Sequence, residues 1–75
     1  MDIKEFIEKF AEAIEIEDVV LNESTEFKEL NEWSSLAALD ILAMIDEEYD
    51  VTLTGKDIRS ANTLEELYNL VKNKV

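Results

Sequence analysis

The chain has 75 residues, a hydrophobic fraction of 47% and a charged fraction of 35%, which fits one small domain with a single modest core. It contains no cysteine, histidine or proline. This composition excludes a disulfide framework, a thiolate metal site and the usual histidine general base. The 19 acidic and 7 basic residues give a formal net charge of −12, so the chain repels nucleic acid and attracts basic protein surfaces.

Composition also predicts where the protein resides. A domain that folds without disulfides suits a reducing compartment, so we expect a cytoplasmic protein. Residues 1–5 lack the basic segment of a signal peptide, and no apolar run approaches the roughly 18 residues that a membrane span requires. We therefore expect a soluble chain without a targeting signal.

The first predicted element is an amphipathic helix. Apolar residues recur at the spacing of one helical face, with charged residues opposite: Ile3, Phe6, Ile7, Phe10 and Ile14. After Glu15 the periodicity fades, and a long ordered loop is predicted that Phe27 and Leu30 pin to the core. A loop of this length in so small a domain is usually functional, so the place where it ends is of interest.

The loop ends at a second predicted helix, for which Ser34 is the N-cap. Its predicted inward residues are Leu39, Leu42, Ile45 and Tyr49. Off this stripe lie Leu36, Ile41 and Met44, some of which we expect to face a partner or a ligand. Trp33 has two interpretations, a hydrophobic staple on the first turn or an exposed aromatic that contacts a partner.

Two short capped helices are predicted in the rest of the chain. Residues 51–53 alternate like a strand, but they are few and have no pairing partner, so we interpret them as an extended connector. Thr54 opens a short third helix over Ile58, and Thr63 opens a fourth. The fourth helix carries an apolar stripe: Leu64, Leu67, Tyr68 and Val71. The predicted fold is all-α, with four helices, a long loop between helices one and two, and a short third helix.

Few residues in this chain support catalysis. Without histidine, Ser34 and Ser35 have no Ser-His partner, and the nearest lysines lie outside the surrounding acidic stretch. Asp46 and Asp50 stand one helical turn apart, an arrangement that most often forms a solvated face, and the segment after them lacks the ligand pattern of an EF-hand. We therefore predict neither an enzyme nor a metal site.

Ser35 stands out because of its position at the first residue of helix two. There its hydroxyl lies beside free backbone N–H groups and the positive end of the helix dipole, where a phosphate is stabilised. Serine is also common at helix starts simply because it caps them, so position alone leaves both interpretations open.

The order of elements and the residues along them resemble the acyl carrier protein family over the whole chain, 1–75, as a single domain. The matching positions are Phe27, Leu30, Ser35, Leu36, Leu39, residues 45–49, Ile58 and residues 63–67. The resemblance implies that coenzyme A donates a covalent 4'-phosphopantetheine arm to Ser35. Ser34 replaces the usual aspartate, Ala37 replaces a common acid and the usual glycine before them is missing, which favours a specialised carrier.

The resemblance also implies partners. A phosphopantetheinyl transferase and basic-surfaced acyl-processing enzymes would meet one face of helix two, formed by Leu36, Asp40, Ala43, Glu47 and Glu48. An acyl chain would lie in a cavity bounded by Leu39, Leu42 and Ile58. We expect a monomer that serves a fatty acid, lipid, polyketide or surface-glycan pathway. The alternatives are a peptidyl carrier and an unmodified acidic interaction module.

Overall fold

Helices form the regular structure of the protein in a computed structural model that describes residues 2–17 and 19–75. In chain order they are α1 (Ile3–Ala13), α2 (Ser35–Tyr49), α3 (Gly55–Ser60) and α4 (Leu64–Lys74). A 3₁₀ turn, Phe27–Glu29, lies between α1 and α2. Because the described residues contain no strand, the predicted all-α, four-helix fold is confirmed. Within the same residues, no helix combines the length and apolarity needed to cross a membrane.

Helix α1 forms as its periodicity predicts. The Asp2 carboxylate caps it by accepting a hydrogen bond of 3.1 Å from the Lys4 N–H. Phe6 and Phe10 are fully buried, whereas the other apolar members of the stripe are half-buried against the core. The helix ends at Ala13. Glu15 then turns the chain with a positive φ of 56°, a conformation that residues other than glycine seldom adopt.

In helix α2 the predicted cap is confirmed and part of the predicted inward stripe is wrong. The buried residues are Ala37, Ile41 and Ile45, spaced four apart along one face. Leu39, predicted to point inward, is 61% exposed, and Ile41, predicted to lie off the stripe, is fully buried. Apolar residues surround much of this helix, so the period alone does not identify the inward face.

The long connection between α1 and α2 is hydrogen-bonded to the start of α4. Leu64 and Glu65, the first residues of α4, donate their backbone N–H groups to the carbonyl oxygens of Thr25 and Glu23, each at 3.0 Å. N–H groups in the first turn of a helix have no intrahelical acceptor, so the loop satisfies donors that α4 itself cannot. Asp18, within the predicted loop, lies outside the described residues.

Aromatic packing closes the core beneath the start of α2. Trp33 stacks on Phe10, with ring centroids 6.2 Å apart and planes 4° from parallel. It also meets Phe27 edge-on at 5.1 Å. Trp33 is half-buried and joins the loop to α1, so its packing role is the one that the structure supports.

Helices α3 and α4 begin at the predicted caps. Thr54 and Asp57 form a reciprocal capping box, in which each side chain accepts from the other residue's backbone N–H. Thr63 accepts from the Glu66 N–H at 3.2 Å, but the Glu66 carboxylate accepts from the Asn62 N–H instead of completing the box. The predicted stripe of α4 is buried throughout.

An ion pair connects α1 with the end of α2. Lys9 Nζ lies 2.8 Å from Glu48 Oε1 and 3.5 Å from Glu5 Oε1. The hydrogen bond from Lys9 to Glu48 raises the pKa of the lysine above its ordinary value. The Lys9 ammonium group is therefore paired with carboxylates of the protein itself.

We expect the substitution Tyr49→Phe to leave the free energy of unfolding unchanged or to raise it by about 1 kcal/mol, because burying an unsatisfied polar group costs about 1–3 kcal/mol. The Tyr49 hydroxyl is buried and has no hydrogen-bond partner within the described residues. Burial also raises the pKa of this phenol. Urea denaturation measures the change, and a clear loss of stability would show that the hydroxyl has a partner in solution.

The capping box of α3 predicts a pH-dependent stability difference. The Thr54 N–H bonds the Asp57 carboxylate and lowers the pKa of Asp57 below its ordinary value of 3.8. A lowered folded-state pKa stabilises the protein above the ordinary value, and this stabilisation is lost as the pH falls through the folded-state pKa. In thermal denaturation, Asp57→Asn should melt below the wild type at pH 7, and the gap in melting temperature should narrow as the pH falls below 3.8. A gap that does not narrow with falling pH would contradict this assignment.

Candidate functional site

Two adjacent serines at the start of α2 have different environments. The Ser34 hydroxyl accepts a hydrogen bond of 3.1 Å from the Ala37 N–H, and the Ser34 carbonyl accepts one of 3.0 Å from the Ala38 N–H. Ser35 is exposed, and its hydroxyl makes no hydrogen bond within the described residues. Ser34 therefore caps the helix, which leaves the Ser35 hydroxyl accessible for chemistry.

The surroundings of Ser35 suit a phosphodiester. The N–H groups of Ser35 and Leu36 belong to the first turn of α2, where no intrahelical carbonyl accepts from them. The first turn of α2 itself contains no acidic residue. The positive end of the helix dipole and free N–H donors together stabilise an anion at this position. The residues present thus fit a phosphate-linked group on Ser35.

Two exposed apolar side chains follow Ser35 within the first turns of α2. Leu36 is 68% exposed and Leu39 is 61% exposed, although large apolar side chains are usually covered. Leu39 consequently does not bound an interior cavity, contrary to the sequence prediction. Of the other two residues assigned to that cavity, Ile58 is buried and Leu42 is half-buried. The orientation of α2, which buries the Ala37, Ile41 and Ile45 face, turns Leu39 outward.

The predicted partner-binding residues lie mostly on one exposed side of α2. Leu36, Asp40, Ala43 and Glu47 are exposed and follow each other at spacings of four, three and four residues, which is the spacing of one helical face. Glu48 differs because its carboxylate bonds Lys9 of α1. Four of the five predicted residues thus form a continuous surface, while the fifth contributes to the α1–α2 contact.

Two acidic residues that the sequence analysis did not select lie close to this site. Glu15, just after α1, and Glu32, just before α2, line the same shallow depression of about 160 Å³ as Ser34 and Asp40. Glu15 is distant from the serines in sequence, and only the packing of α1 beside α2 brings it there. No local pattern could have identified it.

The acidic residues do not form a metal centre within the described part of the chain. No group of three or more aspartate or glutamate side chains there has an arrangement able to hold a metal ion.

Comparisons with known proteins identify the family and the fold of the chain. A family model described as "Phosphopantetheine attachment site" matches residues 4–71, nearly the whole chain. The fold is similar to a solution NMR structure of a holo acyl carrier protein from Geobacter metallireducens, with a TM-score of 0.80 and 17% sequence identity over 96% of this chain and 83% of that one. No curated protein matches the chain. Because the family model spans residues 4–71, the chain belongs to the acyl carrier family of phosphopantetheine-binding domains, whose prosthetic group is covalently attached 4'-phosphopantetheine.

Proposed function

We propose that Ser35 carries the 4'-phosphopantetheine arm and that the chain, acting as one domain over residues 1–75, carries acyl groups between enzymes. The supporting observation is the exposed, unbonded Ser35 hydroxyl at the dipole-positive start of α2. When attached, the arm supplies a terminal thiol that holds an acyl group as a thioester. Domains of this family are carriers that do no chemistry of their own, so catalysis belongs to the partner enzymes.

Attachment requires a nucleophilic serine oxygen that the transferase can reach. The Ser35 oxygen forms an ester bond to the arm's phosphorus, the pyrophosphate bond of coenzyme A breaks and its adenosine bisphosphate part leaves. The serine proton passes to a base of the transferase, since this chain contains no histidine. The N–H groups of the first turn of α2 then face the new phosphodiester.

The exposed side of α2 provides the recognition surface in this proposal. Leu36 supplies an apolar contact beside the arm, while Asp40 and Glu47 supply negative charge that meets basic patches on enzymes. Contacts between exposed charges form quickly and weaken with salt, as a carrier that visits several enzymes requires. Glu48, held by Lys9, contributes less free charge to this surface.

We expect coexpression with a phosphopantetheinyl transferase to add the mass of one arm to the wild-type chain. Ser35→Ala should abolish the added mass, because the nucleophilic oxygen is lost. Ser34→Ala is the matched control, since it removes the adjacent hydroxyl and weakens only the cap. Intact-mass spectrometry measures both variants. An unmodified wild type with several active transferases would favour the acidic interaction module instead.

Charge reversal on the exposed side of α2 should slow modification. We expect Asp40→Lys and Glu47→Lys each to raise the KM of the transferase for this carrier by roughly fivefold, with kcat nearly unchanged, because rim charges act on association. The matched control is Glu65→Lys, the same charge change at an exposed position of α4. Equal KM values for the three variants would show that α2 does not supply the recognition surface.

The proposal extends to the class of pathway and to the cargo. A fatty acid, lipid, polyketide or surface-glycan pathway fits an acidic carrier, and a peptidyl carrier would instead be loaded by an adenylating enzyme. Liquid chromatography–mass spectrometry of the thioester released from the native protein identifies the cargo directly. We also propose that the carrier is monomeric and cytoplasmic.

A further inference from the structure

A groove of about 710 Å³ runs along the surface between α1 and α2. The apolar part of its lining comes from Ala13 of α1 and from Ala43 and Met44 of α2. The two alanines have small side chains, so the helices leave a depression where larger residues would fill the space between them. The groove is open to solvent and can accept a side chain from another protein.

Carboxylates line both walls of this groove. Glu12 and Glu15 lie on the α1 side, and Asp40 and Glu47 lie on the α2 side. Lys9 is the basic residue among the groove's lining, and it is already paired with Glu48 and Glu5. Within the described residues no ion pair neutralises the four carboxylates of the walls.

The groove adjoins the depression lined by Ser34 and Leu36, the two sequence neighbours of Ser35. The groove and this depression share Ala13, Glu15 and Asp40. A partner bound at the start of α2 is therefore close to residues of α1. The recognition surface predicted from sequence contained residues of α2 alone.

Helix stability by itself does not account for the acidic residues at these positions. A basic residue near the C-terminal end of a helix is favourable, and α3 and α4 have one or more there. The last turns of α1 and α2 have none, and Glu12 lies in the last turn of α1. Glu15 keeps a positive φ where glycine would be favoured. Departures from local preference of this kind are expected where a surface serves binding.

We propose that the α1–α2 groove receives a lysine- or arginine-bearing segment of the partner enzyme, so that α1 recognises the partner together with α2. This inference rests on the proposed carrier function. The occupant is assigned by charge complementarity: the carboxylates on both sides of the groove accept the charged end of a long basic side chain, and the apolar lining residues contact its methylene stem. Glu12 and Glu15 are then specificity-determining residues outside α2.

The test uses a phosphopantetheinyl transferase that modifies the wild-type chain. Glu12→Lys and Glu15→Lys should each raise its KM for the carrier by roughly fivefold, with kcat nearly unchanged and a weaker dependence of KM on salt. Glu8→Lys is the matched control, because Glu8 is an exposed residue of α1 that lines neither depression. Its KM should stay near the wild-type value.

Glu15→Gly separates recognition from folding. Glycine relieves the positive φ, so this variant should melt at a higher temperature than the wild type. It also removes one carboxylate, so its KM should rise. A KM that stays at the wild-type value in Glu12→Lys, Glu15→Lys and Glu15→Gly would overturn the role of α1, while modification at Ser35 would still support the carrier function. A wild-type chain that no transferase modifies would overturn both.

Discussion

The packing of Trp33 against Phe10 and Phe27 anchors the residue that precedes the Ser34 cap of α2. These three rings join α1, the 3₁₀ turn and the last loop residue before the Ser34 cap. Because the Trp33 ring contacts both Phe10 and Phe27, the chain enters α2 at a defined position and angle. The accessible serine, its apolar neighbours and the acidic face all follow from that entry, since residues on a helix keep fixed angular relations to its start.

In the proposed function the two serines after Trp33 have different roles. One caps the helix, and the other receives the arm. Ser34 accepts from the Ala37 N–H, which leaves Ser35 unbonded and next to the remaining free N–H groups. Charge is unevenly distributed over the helices. Basic residues lie in the last turns of α3 and α4, whereas acidic residues lie along α1 and α2.

The buried face was predicted correctly for α1 and α4 but only in part for α2, and the difference has a physical reason. In α1 and α4 apolar residues occupy one narrow stripe, so a single inward orientation satisfies the pattern, and the structure has it. Helix α2 is apolar on several sides, and several orientations bury similar area. The pattern favoured the Leu39 side, but the core buries the Ile41 side. Leu36 and Leu39 are exposed, whereas Leu42, Met44 and Tyr49 pack partly against the core.

The sequence by itself determined the helix starts and the candidate serine, because caps depend on residues within about four positions of each other. Ser34, Thr54 and Thr63 all accept the hydrogen bonds that their positions predict. Tertiary structure alone decided which side of α2 faces solvent and which acidic residue of α1's C-terminal end lies near Ser34. Glu15 comes close to Ser34 only because α1 packs along α2, and such long-range placement is set by the shared core and not by any local pattern.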